Sequence, residues 1–295
     1  MRHLLAFFLL LLFTLYHSTA LSSNLKIVAT IKPVHSLVAS VTDGILKPHL
    51  LACTTSEHDH AFKPSDASNL ESSDVIFYVD DNLETFVKAF AKNNKELVQL
   101  SKTVNLLPAR PHSFSRQIIH TQDEKDLHIW LSPENAKSMI FSISATLSSI
   151  DKENASRYNY NAMKAVERIE QEEEKIAKEL NDLKNQKYIV THDAYQYFEK
   201  YFGLNHPSAI LSIGENAYIG MRSLMKLKKT MKEENIKCIF SPSQEDSIKP
   251  KALSNDAKMV ILDPIGLDIE PGKDAYLAII NSITQNFKSC FVESK

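Results

Sequence analysis

Two imidazoles and two carboxylates fill the run Glu57-His58-Asp59-His60, single imidazoles stand at His128 and His192, and a carboxylate precedes a proline at Asp263. Imidazole nitrogens and carboxylate oxygens are the donors of a divalent metal ion. Three neutral imidazoles with at most one carboxylate suit a borderline cation in tetrahedral geometry, with nitrogens about 2.0–2.1 Å away. Each residue also has an ordinary use: an Asp before Pro forms turns, and a lone His after a strand is commonly a hydrogen-bonded polar group. What joins them is place. His58 follows the apolar run 48–53, His192 follows Tyr188-Ile189-Val190, Asp263 follows 259–262, and His128 stands just before a helix start. Loops leaving strand ends are where α/β domains put ligands.

The elements that must position these groups alternate. Strands are expected over 25–31, 48–53 and 74–80, with helices over 34–41, from Pro64 onward and over 84–92. Strands separated by helices make a parallel sheet covered on both faces. Ser132 and Pro133 supply an N-cap and a first-turn proline for a helix running to Ile150. From 157 to 184 there is neither Gly nor Pro, and Ala162, Val166, Ile169, Ile176, Leu180 and Leu183 recur at helical spacing. That predicts one helix about 40 Å long. Glu173 interrupts the seam that a coiled-coil dimer would need. Alternation then returns, with strands over 187–190, 237–240 and 259–262 and helices over 195–201, 220–234, 249–257 and 275–287. The expected fold is α/β, two parallel-sheet lobes joined by one long rigid backbone helix. Its boundaries fall at 21–154 for the first lobe, 155–185 for the helix and 186–295 for the second lobe. Residues 108–126, polar and carrying His112 and His120, read as a mobile loop.

A basic start at Arg2, an apolar stretch from Leu4 to Leu15 and the small-residue exit Ser18-Thr19-Ala20 make residues 1–20 a cleavable secretory signal peptide. A membrane-spanning anchor would need about 20 apolar residues, and no cysteine closely follows the apolar stretch to take a lipid. The expected mature protein is exported, without a stable membrane anchor, and monomeric. With 34 basic and 36 acidic residues the net charge is −2, which argues against nucleic acid as a partner. Export makes a disulfide plausible among Cys53, Cys238 and Cys290, but three cysteines leave the pair open.

Taken in order, Ile31-Lys32-Pro33, Ser56-Glu57-His58-Asp59, Pro64-Ser65-Asp66, His128-Ile129-Trp130-Leu131-Ser132-Pro133, His192-Asp193-Ala194-Tyr195, Tyr197-Phe198-Glu199-Lys200 and Leu262-Asp263-Pro264 resemble the periplasmic zinc-binding components of ABC importers. These are the ZnuA-like members of the larger TroA-like group. The resemblance runs through nearly the whole mature chain. It implies a Zn2+ ion held between the lobes by His58, His128 and His192, with Glu57, Asp263 or water in the fourth position, and delivery to an ABC-type membrane permease. It also implies a Cys238–Cys290 disulfide and a periplasmic location. In the related manganese binders a carboxylate tends to stand where His192 stands here, which makes His192 the discriminating residue. Two departures are plain: His60 replaces an aromatic residue, and the segment before His128 is short of the His-rich tract of many zinc members. A manganese or iron importer component and a surface adhesin of the same fold are the alternative readings. A zinc hydrolase would need a positioned general base and a substrate pocket; the sequence has no HExxH and no nucleophile elbow, so an enzyme is not expected.

Overall fold

The computed structural model describes residues 24–51, 63–90, 95–111, 124–211, 221–242 and 257–292. In the first half, short runs of β-branched and aromatic residues form β1 (Ile27–Ala29), β2 (His49–Leu50), β3 (Val75–Tyr78) and β4 (Glu96–Gln99). All pair in parallel, in the order β2-β1-β3-β4. The second half repeats the plan with β5 (Ile189–Val190), β6 (Ala209–Ile210), β7 (Cys238–Ser241) and β8 (Lys258–Ile261), in the order β6-β5-β7-β8. The inner strands β1, β3, β5 and β7 are buried along their whole length, as continuous apolar runs in a covered parallel sheet should be. In each sheet the strand order reverses beside the first strand, so a crevice opens at the carboxyl ends of β1 and β5.

Helices α1 (Lys32–Val41) and α2 (Pro64–Ser72) belong to the first half, and α3 (Pro133–Ile150) packs along α4 (Ala155–Leu180). Ser132 caps α3 by accepting from the Asn135 amide, with Pro133 in the first turn. The second half contributes α5 (Gln196–Phe202), α6 (Met221–Glu233) and α7 (Ala275–Phe291). The long helix forms as its stripe requires: Ala162, Ala165, Ile169, Ile176 and Leu180 are buried, and a turn over Asn181–Leu183 continues it. Glu173 is bonded to Lys137 of α3 at 3.2 Å. One apolar core joins the halves, taking in Phe77 and Trp130, the α4 stripe, and Phe198, Phe240 and Phe287.

Polar ties reinforce that join. The Lys32 ammonium, at the start of α1, donates to the carbonyls of Gly266, Leu267 (2.9 Å) and Ile269 (2.6 Å). Trp130 Nε1–H donates to the Pro264 carbonyl at 2.8 Å, and the Tyr276 amide donates to Ser36 Oγ at 2.8 Å. Gly266 has φ +68°. A Cβ there would lie 2.5 Å from Ile279 Cγ1, so both backbone hand and space demand glycine. Cys238 on β7 and Cys290 on α7 form a disulfide with Cα atoms 5.9 Å apart.

Several expectations change. Strands β4 and β6 were not predicted; both lie at sheet edges, β4 partly exposed and β6 buried but only two residues long, so neither leaves an apolar run to read. Over the described part of the helix expected at 84–92, residues 84–90, the regular element is one short turn of 3-10 helix, Val87–Phe90. The parts of the 108–126 loop that are described are held, since Pro108 bridges Lys125 and the Ala109 amide donates to the Glu124 carbonyl at 2.9 Å. The expected 1–20 signal peptide, all but the last residue of the expected helix over 249–257, Cys53, His112, His120 and the Glu57-to-His60 run lie outside the described residues.

Candidate metal centre

His192 stands two residues beyond β5, at the point where the strand order of the second sheet reverses. His128 opens the turn Ile129–Leu131 that leads into α3. The two arrive from sequence positions 64 apart, yet their Nε2 atoms are 3.1 Å from each other and the rings meet edge to face at 78°. Two nitrogens about 2.05 Å from a tetrahedral ion would be about 3.3 Å apart. The observed separation therefore fits two corners of such a site.

The orientation of His128 has a clear cause. Its Nδ1 lies 2.8 Å from Asp126 Oδ1, and the same oxygen accepts from the His128 amide at 2.9 Å. A carboxylate at Nδ1 holds the proton there and turns the Nε2 lone pair into the donor toward a cation. Asp126 is fixed in turn by Gln196 Nε2, which donates to Oδ2 at 3.2 Å, and its carbonyl accepts from Tyr197 O–H at 2.9 Å. Trp130, fully buried, packs against the His128 ring with centroids 5.4 Å apart. Polar atoms and a close apolar wall together limit how far the imidazole can turn.

Asp193, directly after His192, faces away toward Arg110. Arg110 Nε donates to both Asp193 oxygens at 3.1 and 3.0 Å, Nη2 also contacts Asp193, and Nη1 donates to Glu199 Oε2 at 2.6 Å. Burial works against the guanidinium's charge, but the carboxylates of Asp193 and Glu199 outweigh it and push its pKa further up. Glu199 is raised by burial, with Arg110 pulling the other way. Asp263 spends its carboxylate on its own loop, accepting from the amides of Ile265 (3.0 Å), Gly266 (2.8 Å) and Leu267. Burial raises its pKa, while those three amides and Lys32 oppose the rise.

Of the five predicted donors, then, the structure brings His128 and His192 together and shows Asp263 capping a loop. His58 and Glu57 lie outside the described residues. Among the described residues no group of three or more His, Cys, Asp or Glu side chains is arranged to hold an ion. Sequence reasoning missed Asp126, although a carboxylate two residues before an imidazole was a usable sign. It also missed Arg110, Gln196 and Tyr197, whose partners are distant in the chain.

Two parallel-sheet α/β lobes joined through one long helix, with two imidazoles brought together between β5 and the start of α3, define the fold class of a bilobed solute-binding protein. Residues 27–290 match the family model described as zinc-uptake complex component A, periplasmic, and the chain belongs to that family. The high-affinity zinc uptake system protein ZnuA of Brucella abortus is 29% identical over 304 residues, covering 90% of this chain and 91% of its own. The Zn(II)-bound AdcA of Streptococcus pneumoniae shares 21% identity with a TM-score of 0.73, covering 92% of this chain. This chain spans 59% of that AdcA chain and 99% of the chain of its ZnuA-like domain. A laminin-binding adhesin from Streptococcus agalactiae has the same fold, at TM-score 0.74 and 19% identity, over 90% of this chain and 100% of its own.

Proposed function

We propose that this protein captures zinc in the periplasm, after export through a signal peptide over residues 1–20, and delivers it as a monomer to an ABC-type membrane permease. The ion is held by the Nε2 atoms of His128 and His192 together with His58. Glu57, Asp263 or water takes the fourth position. The loop-capping role of Asp263 favours Glu57 or water there, since its oxygens already accept three amides. The observation that carries this reading is the 3.1 Å approach of two imidazole nitrogens, one of them oriented by Asp126. Nitrogen donors select zinc over manganese, which prefers oxygen, and the uptake role of the family and of the Brucella relative supports the same cargo. The role is capture and delivery, without a reaction.

Metal analysis of protein purified without chelator, followed by competition titration, tests the proposal. About one zinc ion per chain is expected, with His58→Ala, His128→Ala and His192→Ala each weakening binding at least a hundredfold. Affinity unchanged in any one of the three variants would overturn it. Preferential loading with manganese, or binding to laminin without zinc dependence, would favour the importer or adhesin alternatives instead.

A further inference from the structure

We infer that Arg110 is a positioning residue for the imidazole pair, tying the segment that leads to His128 to the residue that follows His192. The inference rests on the proposed zinc site and adds to it a clasp between distant parts of the chain. Arg110 reaches across 83 residues to Asp193 and 89 to Glu199. Its side chain is only 14% exposed, and those of Asp193 and Glu199 are 10% and 2% exposed. His206 Nδ1, 3.2 Å from Nη1, closes the outer side. Only a planar fork can engage one carboxylate through two nitrogens and a second through the third; a lysine offers a single point of charge.

Both ends of the clasp lead to the imidazoles by short routes. On one side, Ala109 and Leu107 are laddered to Glu124 and Asp126, with amide-to-carbonyl distances of 2.9 Å in each case. Asp126 then holds His128 Nδ1. Tyr197 adds to this ladder, its hydroxyl accepting from the Leu107 amide at 2.9 Å, and Gln196 donates to the Pro108 carbonyl at 3.1 Å. On the other side, Asp193 is the next residue after His192. Arg110 touches neither ring, so its effect is on where the rings stand. Without the guanidinium, two little-exposed carboxylates would face each other with only the exposed His206 imidazole beside Glu199, and the His192 loop would lose its fixed partner.

The test uses the mature full chain and its Arg110→Ala, Arg110→Lys, His192→Ala and doubly substituted Arg110→Ala/His192→Ala forms. Zinc affinity is measured by chelator competition, site geometry by the visible spectrum of the Co(II)-loaded protein, and backbone order by amide exchange without metal. Arg110→Ala is expected to weaken zinc binding about 10- to 100-fold, as loss of an outer partner does. It should also alter the Co(II) spectrum, with Arg110→Lys recovering part of both. In the His192→Ala background the Arg110→Ala effect should shrink to the part that runs through Asp126 and His128, which a merely stabilising residue would not show. Unchanged affinity and spectrum in folded Arg110→Ala, or full additivity with His192→Ala, would overturn the inference. If Arg110→Ala does not fold, the isosteric Asp193→Asn takes its place in every measurement, with the same results expected and the same results overturning the inference. Should wild type and His192→Ala bind zinc alike, the zinc-site reading fails on its own. Amide exchange then decides the clasp: faster exchange at 107–110, 124–128 and 191–193 in Arg110→Ala supports it, and unaltered exchange refutes it.

Discussion

At the scale of single residues, the chemistry turns on which nitrogen of His128 is exposed, and Asp126 decides that by holding Nδ1. Asp126→Ala is expected to weaken zinc binding about 10- to 100-fold with little change in fold, measured by the same competition titration. Because imidazoles bind metal only when unprotonated, zinc affinity should fall steeply between about pH 7 and 5; a flat profile would contradict a histidine site. A second titrating group stands in the first half. Glu84 is buried beneath the ends of β1 and β3, accepting from Thr30 Oγ1 and from the amides of Val79 and Asp80. Burial, only partly offset by those bonds and reinforced by nearby Asp80, pushes its pKa up to about 7. An acid whose folded-state pKa exceeds its unfolded value binds protons more tightly when folded. Its contribution to stability is therefore greatest below the unfolded value of about 4.5 and is lost as pH rises to about 7, a change of about 3 kcal/mol. Carbon-13 NMR of the Glu84 carboxyl should show a midpoint near 7, and one near 4.5 would refute this. The imidazoles could be picked out from the sequence because residue type alone marks them as donors. Arg110 could not, since nothing local to Pro108-Ala109-Arg110-Pro111 reveals a partner more than 80 residues away.

Helices and strands were legible where a buried pattern is repeated over enough residues. The α4 stripe and the runs of β3 and β7 announce themselves, because a covered strand or a long amphipathic helix repeats one signal many times. The edge strands β4 and β6 do not; Glu96–Gln99 is exposed or half-exposed except at Val98, and Ala209–Ile210 is too short to carry a period. Tertiary docking, absent from any local pattern, is what turned part of an expected mobile loop into a bridge beside α5. The disulfide belongs to this scale too, fastening an inner strand of the second sheet to its last helix across 52 residues. Cys290→Ser is expected to destabilise the protein by roughly 4 kcal/mol, seen as a lower urea midpoint. Zinc affinity at pH 7 should stay within about threefold of wild type, since the bond is remote from the loops that bear His128 and His192.

Over the whole molecule the two halves are held as one body. The apolar core runs through both, α4 packs on α1, α3 and α7, and Lys32, Ser36, Trp130 and Arg110 each bond across the join. Wide opening would break all of these at once, so loading and release are expected to involve small local shifts. Small-angle scattering should show a radius of gyration unchanged within about 1 Å on adding zinc; at this chain length, compaction from an open state would be larger. The ammonium of Lys32 depends on three carbonyls that line up only because the chain turns at Gly266 with a left-handed twist and no side chain. One added methyl group at that turn would collide with Ile279 and spoil the cradle. The join between the halves is thus open to genetic damage at a turn distant in sequence from the paired histidines, where a survey confined to them would never look.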